Sequence, residues 1–193
     1  MTSFQFDAIV LAGGRSSRLQ GGGDKALLVY NGRSLIERAV AAVEAAQTIV
    51  SVGPIDVPGT VKAIEEPRFA GPAAALAAGL TKLDEPAEWI VALACDLPFA
   101  SRAVESLLAA MPVASDGVVA VDETGRRQPL LAIYRSSALS AVIADSEVDG
   151  LALHSLISRL DLTELPLDDH LTTDIDSRAD AAALGIQVHG PAC

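Results

Sequence analysis

The sequence has few cations, few aromatic residues and little cysteine. Its 14 lysines and arginines are outnumbered by 25 aspartates and glutamates, which gives a formal net charge of −11. Such an acidic chain does not suit binding to the phosphate backbone of a nucleic acid. The two cysteines, Cys95 and Cys193, lack the number and spacing of a disulfide framework or a metal site. We expect Cys95 to be a small buried residue at a strand end rather than a reactive thiol.

Long apolar segments and clustered histidines are also missing. No apolar run approaches the ~20 residues of a membrane-spanning helix, and no charged-then-apolar leader precedes Phe4, so we expect a cytoplasmic protein. The three histidines lie far apart in the sequence and give little support for a catalytic histidine network. With half of its 193 residues apolar, the chain is predicted to form one domain over residues 1–193 with a sizeable core.

Strand-like and helix-like segments alternate along the chain. Strands are predicted over residues 6–12, 48–52, 61–64, 89–95, 117–121, 129–134 and 162–165, and helices over residues 35–43, 72–83, 101–111, 136–144, 151–160 and 177–184. Ser34 and Glu37 have the spacing of a capping box. This alternation predicts an α/β, Rossmann-like fold, in which helices cover both faces of a mostly parallel central sheet. Ligands are expected at the carboxyl ends of its strands.

A glycine-rich, cationic loop follows the first predicted strand. From Gly13 to Lys25 the sequence reads Gly-Gly-Arg-Ser-Ser-Arg-Leu-Gln-Gly-Gly-Gly-Asp-Lys. Glycines let backbone amides approach a ligand, and the cations supply charge where a polyphosphate would lie. The loop therefore predicts a cradle for nucleotide phosphates, with a solvated glycine-rich turn as the alternative. Its spacing matches neither the dinucleotide fingerprint nor the P-loop.

This loop resembles the signature of the molybdenum cofactor guanylyltransferase family, which runs roughly L-A-G-G-x-S-x-R-M-G-x-D-K-A-L-L. Leu19 replaces the usual Met, and the interval from Arg18 to Asp24 is longer by one or two residues. The Cys95–Pro98 segment, Cys-Asp-Leu-Pro, matches the family's C-D-x-P turn. The resemblance extends more weakly over nearly the whole chain. It implies a nucleotide-binding half at about residues 1–100 and an acceptor-binding half at about 101–193.

The resemblance also implies a reaction, in which GMP passes from GTP to the phosphate of molybdopterin and pyrophosphate leaves. Lys25 and Arg18 would contact phosphate, and Asp96 would bind both Mg²⁺ and the nucleotide phosphates. The implied nucleotide-binding residues are Leu11, Ala12, Gly13, Gly14, Lys25, Gly53, Glu66 and Asp96, and the implied acceptor-binding residues are Arg15, Gly71, Asp174 and Asp176. GTP, molybdopterin and other proteins of molybdenum cofactor biosynthesis are the implied partners.

Some of these residues have simpler interpretations or depart from the family. Lys25 could be a surface lysine, and Asp96 could cap the helix predicted from Ser101, although the intervening Pro98 argues against a cap. Asp176 or Ser177 could cap the final helix. Gly53 stands where the family often has Asn. Glu66 stands where the family usually has an acid, often Asp.

Other functions remain open on sequence grounds. Molybdopterin cytidylyltransferases typically have Ala where this chain has Gly13, which favours GTP over CTP. A cytidylyltransferase or another small-phosphate nucleotidyltransferase is nevertheless an alternative within the enzyme class. A non-catalytic nucleotide-binding protein on the same fold is the alternative from another class.

Overall fold

The computed structural model describes residues 5–13, 24–111, 114–175 and 178–185. Within these ranges nine strands are present: β1 (Phe6–Leu11), β2 (Val29–Tyr30), β3 (Arg33–Ser34), β4 (Ile49–Val52), β5 (Val61–Ala63), β6 (Trp89–Ala94), β7 (Gly117–Val121), β8 (Arg127–Arg135) and β9 (Leu162–Pro166). Seven of them form one sheet in the order β5-β4-β1-β6-β8-β7-β9, and β2 and β3 form a separate hairpin.

The central sheet is mostly parallel, as the sequence predicts. β1 pairs in parallel with β4 on one side and β6 on the other, and β5 extends the parallel set at the edge. Only β8 runs the other way among these seven strands, because it pairs antiparallel with both β6 and β7. The carboxyl ends of six strands therefore lie at one edge of the sheet.

Helices cover both faces of this sheet. They are α1 (Leu35–Ala42), α2 (Pro72–Leu80), α3 (Ala100–Ala109), α4 (Ser136–Ala144), α5 (Leu153–Ile157), α6 (Asp169–Thr172) and α7 (Arg178–Ala183). Buried residues of α1 and α3 pack with Ala8 and Val10 on one face. Those of α2, α4 and α5 pack with Ile9 and Leu11 on the other. Successive β1 residues thus serve opposite layers, which explains why this strand is apolar throughout.

Local sequence signals set several element boundaries. Ser34 and Glu37 form the predicted capping box at α1, and Pro72 lies in the first turn of α2. Some predicted helices are shorter in the structure: α2 ends at Leu80, and α5 spans only Leu153–Ile157. The β2–β3 hairpin was not predicted, although its Asn31-Gly32 turn has two residues at positive φ and is a strong hairpin signal.

One carboxylate inside this fold serves the architecture. Asp7 is 2% exposed, and its two oxygens accept hydrogen bonds from the backbone N–H groups of Thr48 (2.9 Å) and Ala87 (2.7 Å). These residues lie just before β4 and β6. Asp7 therefore joins the entries of three neighbouring strands, at the edge opposite the carboxyl ends. No described helix is long and apolar enough to cross a membrane.

Candidate functional site

The candidate site lies at the carboxyl edge of the sheet, where the chain leaves β1, β4 and β6. Backbone hydrogen bonds join the ends of these three strands. The N–H of Cys95 donates to the carbonyl of Leu11 (3.0 Å), and the N–H of Ala12 donates to the carbonyl of Val52 (2.8 Å). These bonds place Ala12 and Gly13 between the ends of β4 and β6, so the predicted phosphate loop begins at the centre of this edge.

Lys25 and Asp96 meet at this edge, 71 residues apart in sequence. Lys25 Nζ lies 2.8 Å from Asp96 Oδ2, and the two side chains are 20% and 23% exposed. An ion pair that is neither buried nor fully solvated keeps both charges accessible to a ligand. Asp96 does not cap the following helix, since the N-cap of α3 is Phe99. The capping alternative for Asp96 is therefore wrong.

Asp24 orients Lys25 through the local backbone. Its Oδ1 accepts a hydrogen bond from the N–H of Ala26 (3.0 Å) and so caps a 3₁₀ turn over Lys25–Leu27. Ala26 is 1% exposed and belongs to the core. Because one end of the turn is capped and its centre is buried, the backbone of Lys25 is anchored while its ammonium group reaches Asp96.

Gly53 packs against the start of the predicted phosphate loop. It is buried, with φ +149°, and its N–H donates to the carbonyl of Ala63 (3.0 Å). A Cβ atom at this position would lie 2.9 Å from the carbonyl carbon and oxygen of Ala12. This backbone leaves no space for the Asn that the family often has here. Gly13 differs, because a Cβ there would meet no atom closer than 3.9 Å.

The loop after β5 carries two further candidates, Glu66 and Gly71. Glu66 is exposed. The neighbouring Glu65 carboxylate accepts the N–H of Phe69 (3.2 Å), a residue with φ +66° and a 63% exposed ring. Gly71, at φ +104°, precedes α2. Glu66 and Gly71 both lie in the connection from β5 to α2.

A C-terminal segment crosses the same edge from the other side. Over residues 167–175 the chain runs from β7, where the N–H of Leu167 donates to the carbonyl of Val121 (3.0 Å), to the Asp96 turn. There the N–H of Ile175 donates to the carbonyl of Asp96 (3.1 Å). Asp174 is exposed and is brought next to the Asp96 turn by this bond.

The turn between β7 and β8 is held by Asp122. Its carboxylate accepts hydrogen bonds from the side chain of Thr124 and from the backbone of Thr124 and Arg126. The Thr124 hydroxyl, followed by the Arg126 amide, lowers the pKa of Asp122 below its usual value. The Asp122 carboxylate therefore stabilises this turn. Nearby, Arg127 Nε pairs with Glu164 Oε1 at 2.7 Å.

The cysteine next to Asp96 is not set up for nucleophilic chemistry. Cys95 is buried, and this burial, together with the charge of Asp96, raises the pKa of its thiol far above the ordinary range. The thiolate is the reactive form, so the Cys95 side chain stays a neutral packing group, as expected from the sequence.

A divalent cation would find one carboxylate here rather than a complete protein cage. The described residues contain no group of three or more His, Cys, Asp or Glu side chains able to hold a metal ion. Asp96 fits a partial site, because Mg²⁺ prefers oxygen ligands and is usually held by one or two carboxylates together with phosphates and water. The donor set at this edge therefore suits a metal ion that arrives with a polyphosphate.

Four of the predicted site residues lie outside the described residues. They are Gly14, Arg15, Arg18 and Asp176. Their predicted roles stay predictions.

Sequence reasoning missed a set of residues that contact the Asp96 turn from outside the motif. Arg38 donates to the carbonyl of Pro98 from Nε (3.2 Å) and Nη2 (2.9 Å). Its guanidinium carbon lies 4.9 Å from the centre of the Tyr30 ring. Tyr30 in turn makes an edge contact with Phe99 at 6.0 Å, and Phe99 one with His170 at 5.9 Å. The Asn31-Gly32 hairpin signal could have placed Tyr30, but no local pattern indicates these contacts.

The chain is similar to known proteins over most of its length. Residues 8–163 match the model of a family described as the MobA-like NTP transferase domain. A molybdenum cofactor guanylyltransferase from Cupriavidus necator is 29% identical over 177 residues, covering 83% of this chain and 86% of that protein.

Solved structures share the fold. Molybdopterin-guanine dinucleotide biosynthesis protein A from Archaeoglobus fulgidus superposes with a TM-score of 0.68 at 20% identity, covering 92% of this chain and 96% of that one. Rv0371C from Mycobacterium tuberculosis, solved in complex with manganese, gives a TM-score of 0.63 at 18% identity, covering 93% of this chain and 97% of that one. Each of these structures matches the α/β fold described above over nearly its full length.

Proposed function

The chain belongs to the family of MobA-like NTP transferases, and we propose that it transfers GMP from GTP to the terminal phosphate of molybdopterin, with release of pyrophosphate. The observation that carries this proposal is the Lys25–Asp96 pair at the carboxyl edge, beside the accessible backbone of Gly13. A cation and a carboxylate in one place suit a reaction in which polyphosphate charge must be bound and redistributed. The name of the Cupriavidus relative supports the same reaction.

The proposed chemistry needs no covalent intermediate on the protein. A phosphate oxygen of the acceptor attacks the α-phosphorus of GTP, the bond from that phosphorus to the β-phosphate oxygen breaks, and pyrophosphate leaves with the electron pair. The acceptor brings its own nucleophile, so an inert Cys95 is compatible with the reaction. The task of the protein is then alignment of the two phosphates and neutralisation of charge.

In this proposal Lys25 exchanges partners. Its ammonium group pairs with Asp96 in the structure and would turn to the triphosphate when nucleotide binds, since the 3₁₀ turn anchors its backbone while its long side chain can change partners. Asp96 would then hold Mg²⁺, which when bound supplies positive charge against the phosphates. Arg18 would add a second cation. The manganese complex of Rv0371C supports a divalent ion in this fold.

The remaining predicted residues divide between the two substrates. Leu11, Ala12, Gly13, Gly14, Gly53 and Glu66 are proposed to bind the nucleotide, and Arg15, Gly71, Asp174 and Asp176 the acceptor. The corresponding halves are about residues 1–100 and 101–193. The return of the C-terminal segment to Asp96 supports an acceptor that approaches from that side.

Three broader expectations accompany the same proposal. Other proteins of molybdenum cofactor biosynthesis are proposed partners that deliver or receive the acceptor. A cytoplasmic location and a lack of nucleic-acid binding stay predictions from the sequence.

The proposal is tested by measuring pyrophosphate release from GTP with Mg²⁺ and molybdopterin. GTP should support turnover better than CTP or ATP. Asp96→Asn should lower the rate ~10²–10³-fold, the scale of one electrostatic stabiliser. The matched control is Asp56→Asn, because Asp56 also pairs with a lysine at 2.8 Å, through Lys62; it should behave as wild type.

Each other outcome has a defined meaning. Faster turnover with CTP would place the protein among cytidylyltransferases. Tight GTP binding without any pyrophosphate release would favour the non-catalytic alternative. Asp96→Asn activity close to that of the wild type would remove Asp96 from the mechanism.

A further inference from the structure

The turn that carries Asp96 is held from outside at several points. Asp96 must present its carboxylate to Lys25 at the end of β6. Within the turn the N–H of Ala100 donates to the carbonyl of Leu97 (3.2 Å), whereas Pro98 has no N–H to donate. Neighbouring segments of the same chain add hydrogen bonds to the turn: the carbonyl of Leu11 accepts from the N–H of Cys95, and the N–H of Ile175 donates to the carbonyl of Asp96. The carbonyl of Pro98 accepts hydrogen bonds from Nε and Nη2 of Arg38.

Arg38 is itself fixed on both sides. It lies on α1, whose start is set by the capping box and whose Leu35 and Ile36 are buried. Its guanidinium lies over the Tyr30 ring, and that ring contacts Phe99, the residue after Pro98. Arg38 thus contacts the Asp96 turn directly through one carbonyl and indirectly through one aromatic ring. A planar, delocalised cation can make both contacts at once, which a lysine ammonium cannot.

We infer that Arg38 is a positioning residue for Asp96, which fixes the turn so that the carboxylate is held where metal and nucleotide phosphates meet. This inference rests on the proposed function. Arg38 does not touch substrate in this inference; it acts through the carbonyl of Pro98, two residues after Asp96. Residues that orient a metal ligand commonly change metal affinity or activity 10–100-fold when replaced.

The test compares Arg38→Ala and Arg38→Lys with wild type. Arg38→Ala should lower kcat for pyrophosphate release about 10–100-fold, with KM for GTP changed less than about threefold. It should also weaken Mn²⁺ binding to the complex with a GTP analogue about 10–100-fold, as measured by electron paramagnetic resonance. Arg38→Lys should recover part of both losses, because lysine can still give one N–H to the carbonyl.

The matched control is Arg159→Gln. Arg159 also donates to a main-chain carbonyl, that of Asp145, at 3.2 Å, but it lies between α5 and β9 and contacts the end of α4 rather than the Asp96 turn. Melting temperatures of all variants separate a loss of folding from a loss of positioning. Arg159→Gln should keep both kcat and Mn²⁺ affinity at the wild-type level.

Hydrogen exchange of the Ile175 amide gives a readout that does not need activity. This N–H bonds to the carbonyl of Asp96, so displacement of the turn in Arg38→Ala should speed its exchange more than that of amides in β1. If Arg38→Ala fails to fold, Arg38→Lys carries the test through all three measurements.

Three results would overturn the inference. One is wild-type kcat and Mn²⁺ affinity in Arg38→Ala, and another is unchanged Ile175 exchange. The third is a loss of stability and GTP affinity together at constant kcat, which would make Arg38 merely structural. A wild-type protein without transferase activity would refute the proposed function instead, while Mn²⁺ binding and Ile175 exchange would still decide the role of Arg38.

Discussion

Replacement of Gly53 by alanine should damage both the fold and the nucleotide site. The new Cβ would lie 2.9 Å from the carbonyl carbon and oxygen of Ala12 and 3.2 Å from the nitrogen of Gly13. These atoms belong to the backbone, so no side-chain rotation can relieve the contacts. A non-glycine residue in a strained backbone region costs about 1–3 kcal/mol, and overpacking about 1–3 kcal/mol more.

The expected loss for Gly53→Ala is therefore about 2–6 kcal/mol of unfolding free energy. A loss of about 3 kcal/mol lowers Tm by roughly 6–12 °C in a domain of this size. Because relief of the clash must move the peptide between Ala12 and Gly13, we also expect weaker GTP binding by the protein that still folds.

Gly59→Ala is the matched control, since Gly59 lies in the same connection between β4 and β5. Its φ is +80°, but a Cβ there would meet nothing within 4 Å. It should lose only about 1 kcal/mol and bind GTP normally. Urea unfolding and calorimetric GTP titration measure both quantities.

Equal destabilisation of the two variants, with unchanged GTP affinity, would refute the packing argument. Gly53→Asn adds a second check. Wild-type stability together with tighter GTP binding in Gly53→Asn would show that this backbone does accept the side chain often found in the family.

Three further predictions concern charge, selectivity and pH. Lys25→Ala should weaken GTP binding at least tenfold but cost only about 1 kcal/mol of stability, because its pair with Asp96 is partly solvated; a large fall in Tm with intact GTP affinity would mean a structural lysine. Gly13→Ala should fold normally, since its Cβ finds space. Because cytidylyltransferases typically have Ala at this position, we expect competition binding to shift from GTP toward CTP by about tenfold; an unchanged ratio would show that Gly13 does not select the base. The pKa of Asp122 is lowered from 3.8, so its stabilising contribution is present above that pH and is lost as the pH falls through the lower folded-state value. Asp122→Asn should thus be less stable than wild type at pH 6, and urea unfolding should show a smaller stability difference between the two proteins at pH 3. Equal differences at the two pH values would show that the charge of Asp122 does not stabilise the fold.

Much of the fold follows from local patterns. The capping box of Ser34 and Glu37, the proline at the start of α2 and the apolar run of β1 each act within a few residues, where backbone and side-chain preferences operate directly. Their alternation indicated the mostly parallel sheet and located its carboxyl edge. The same patterns were weaker at boundaries: α5 is shorter than predicted, and helix ends are the features that local patterns define least well.

The candidate site divides in the same way. The sequence indicated which residue types the site contains, since Lys25 follows a glycine-rich loop and Asp96 follows the buried β6 strand. The sequence did not indicate the distance between Lys25 and Asp96, because this distance depends on the parallel pairing of β1 with β6. Gly53 shows the limit most clearly: as a sequence feature it is a departure from the family's Asn, whereas in the structure it is a close backbone contact.

The sequence by itself therefore determined the kinds of elements, the edge at which ligands are expected and the chemical groups available there. Only the tertiary structure decided which groups meet. The pairing of Lys25 with Asp96, the support of Pro98 by Arg38 and the bond from Ile175 to Asp96 join residues 60 to 79 positions apart. Contacts of this kind arise when separate elements pack into one core, and local propensities carry no information about such distances.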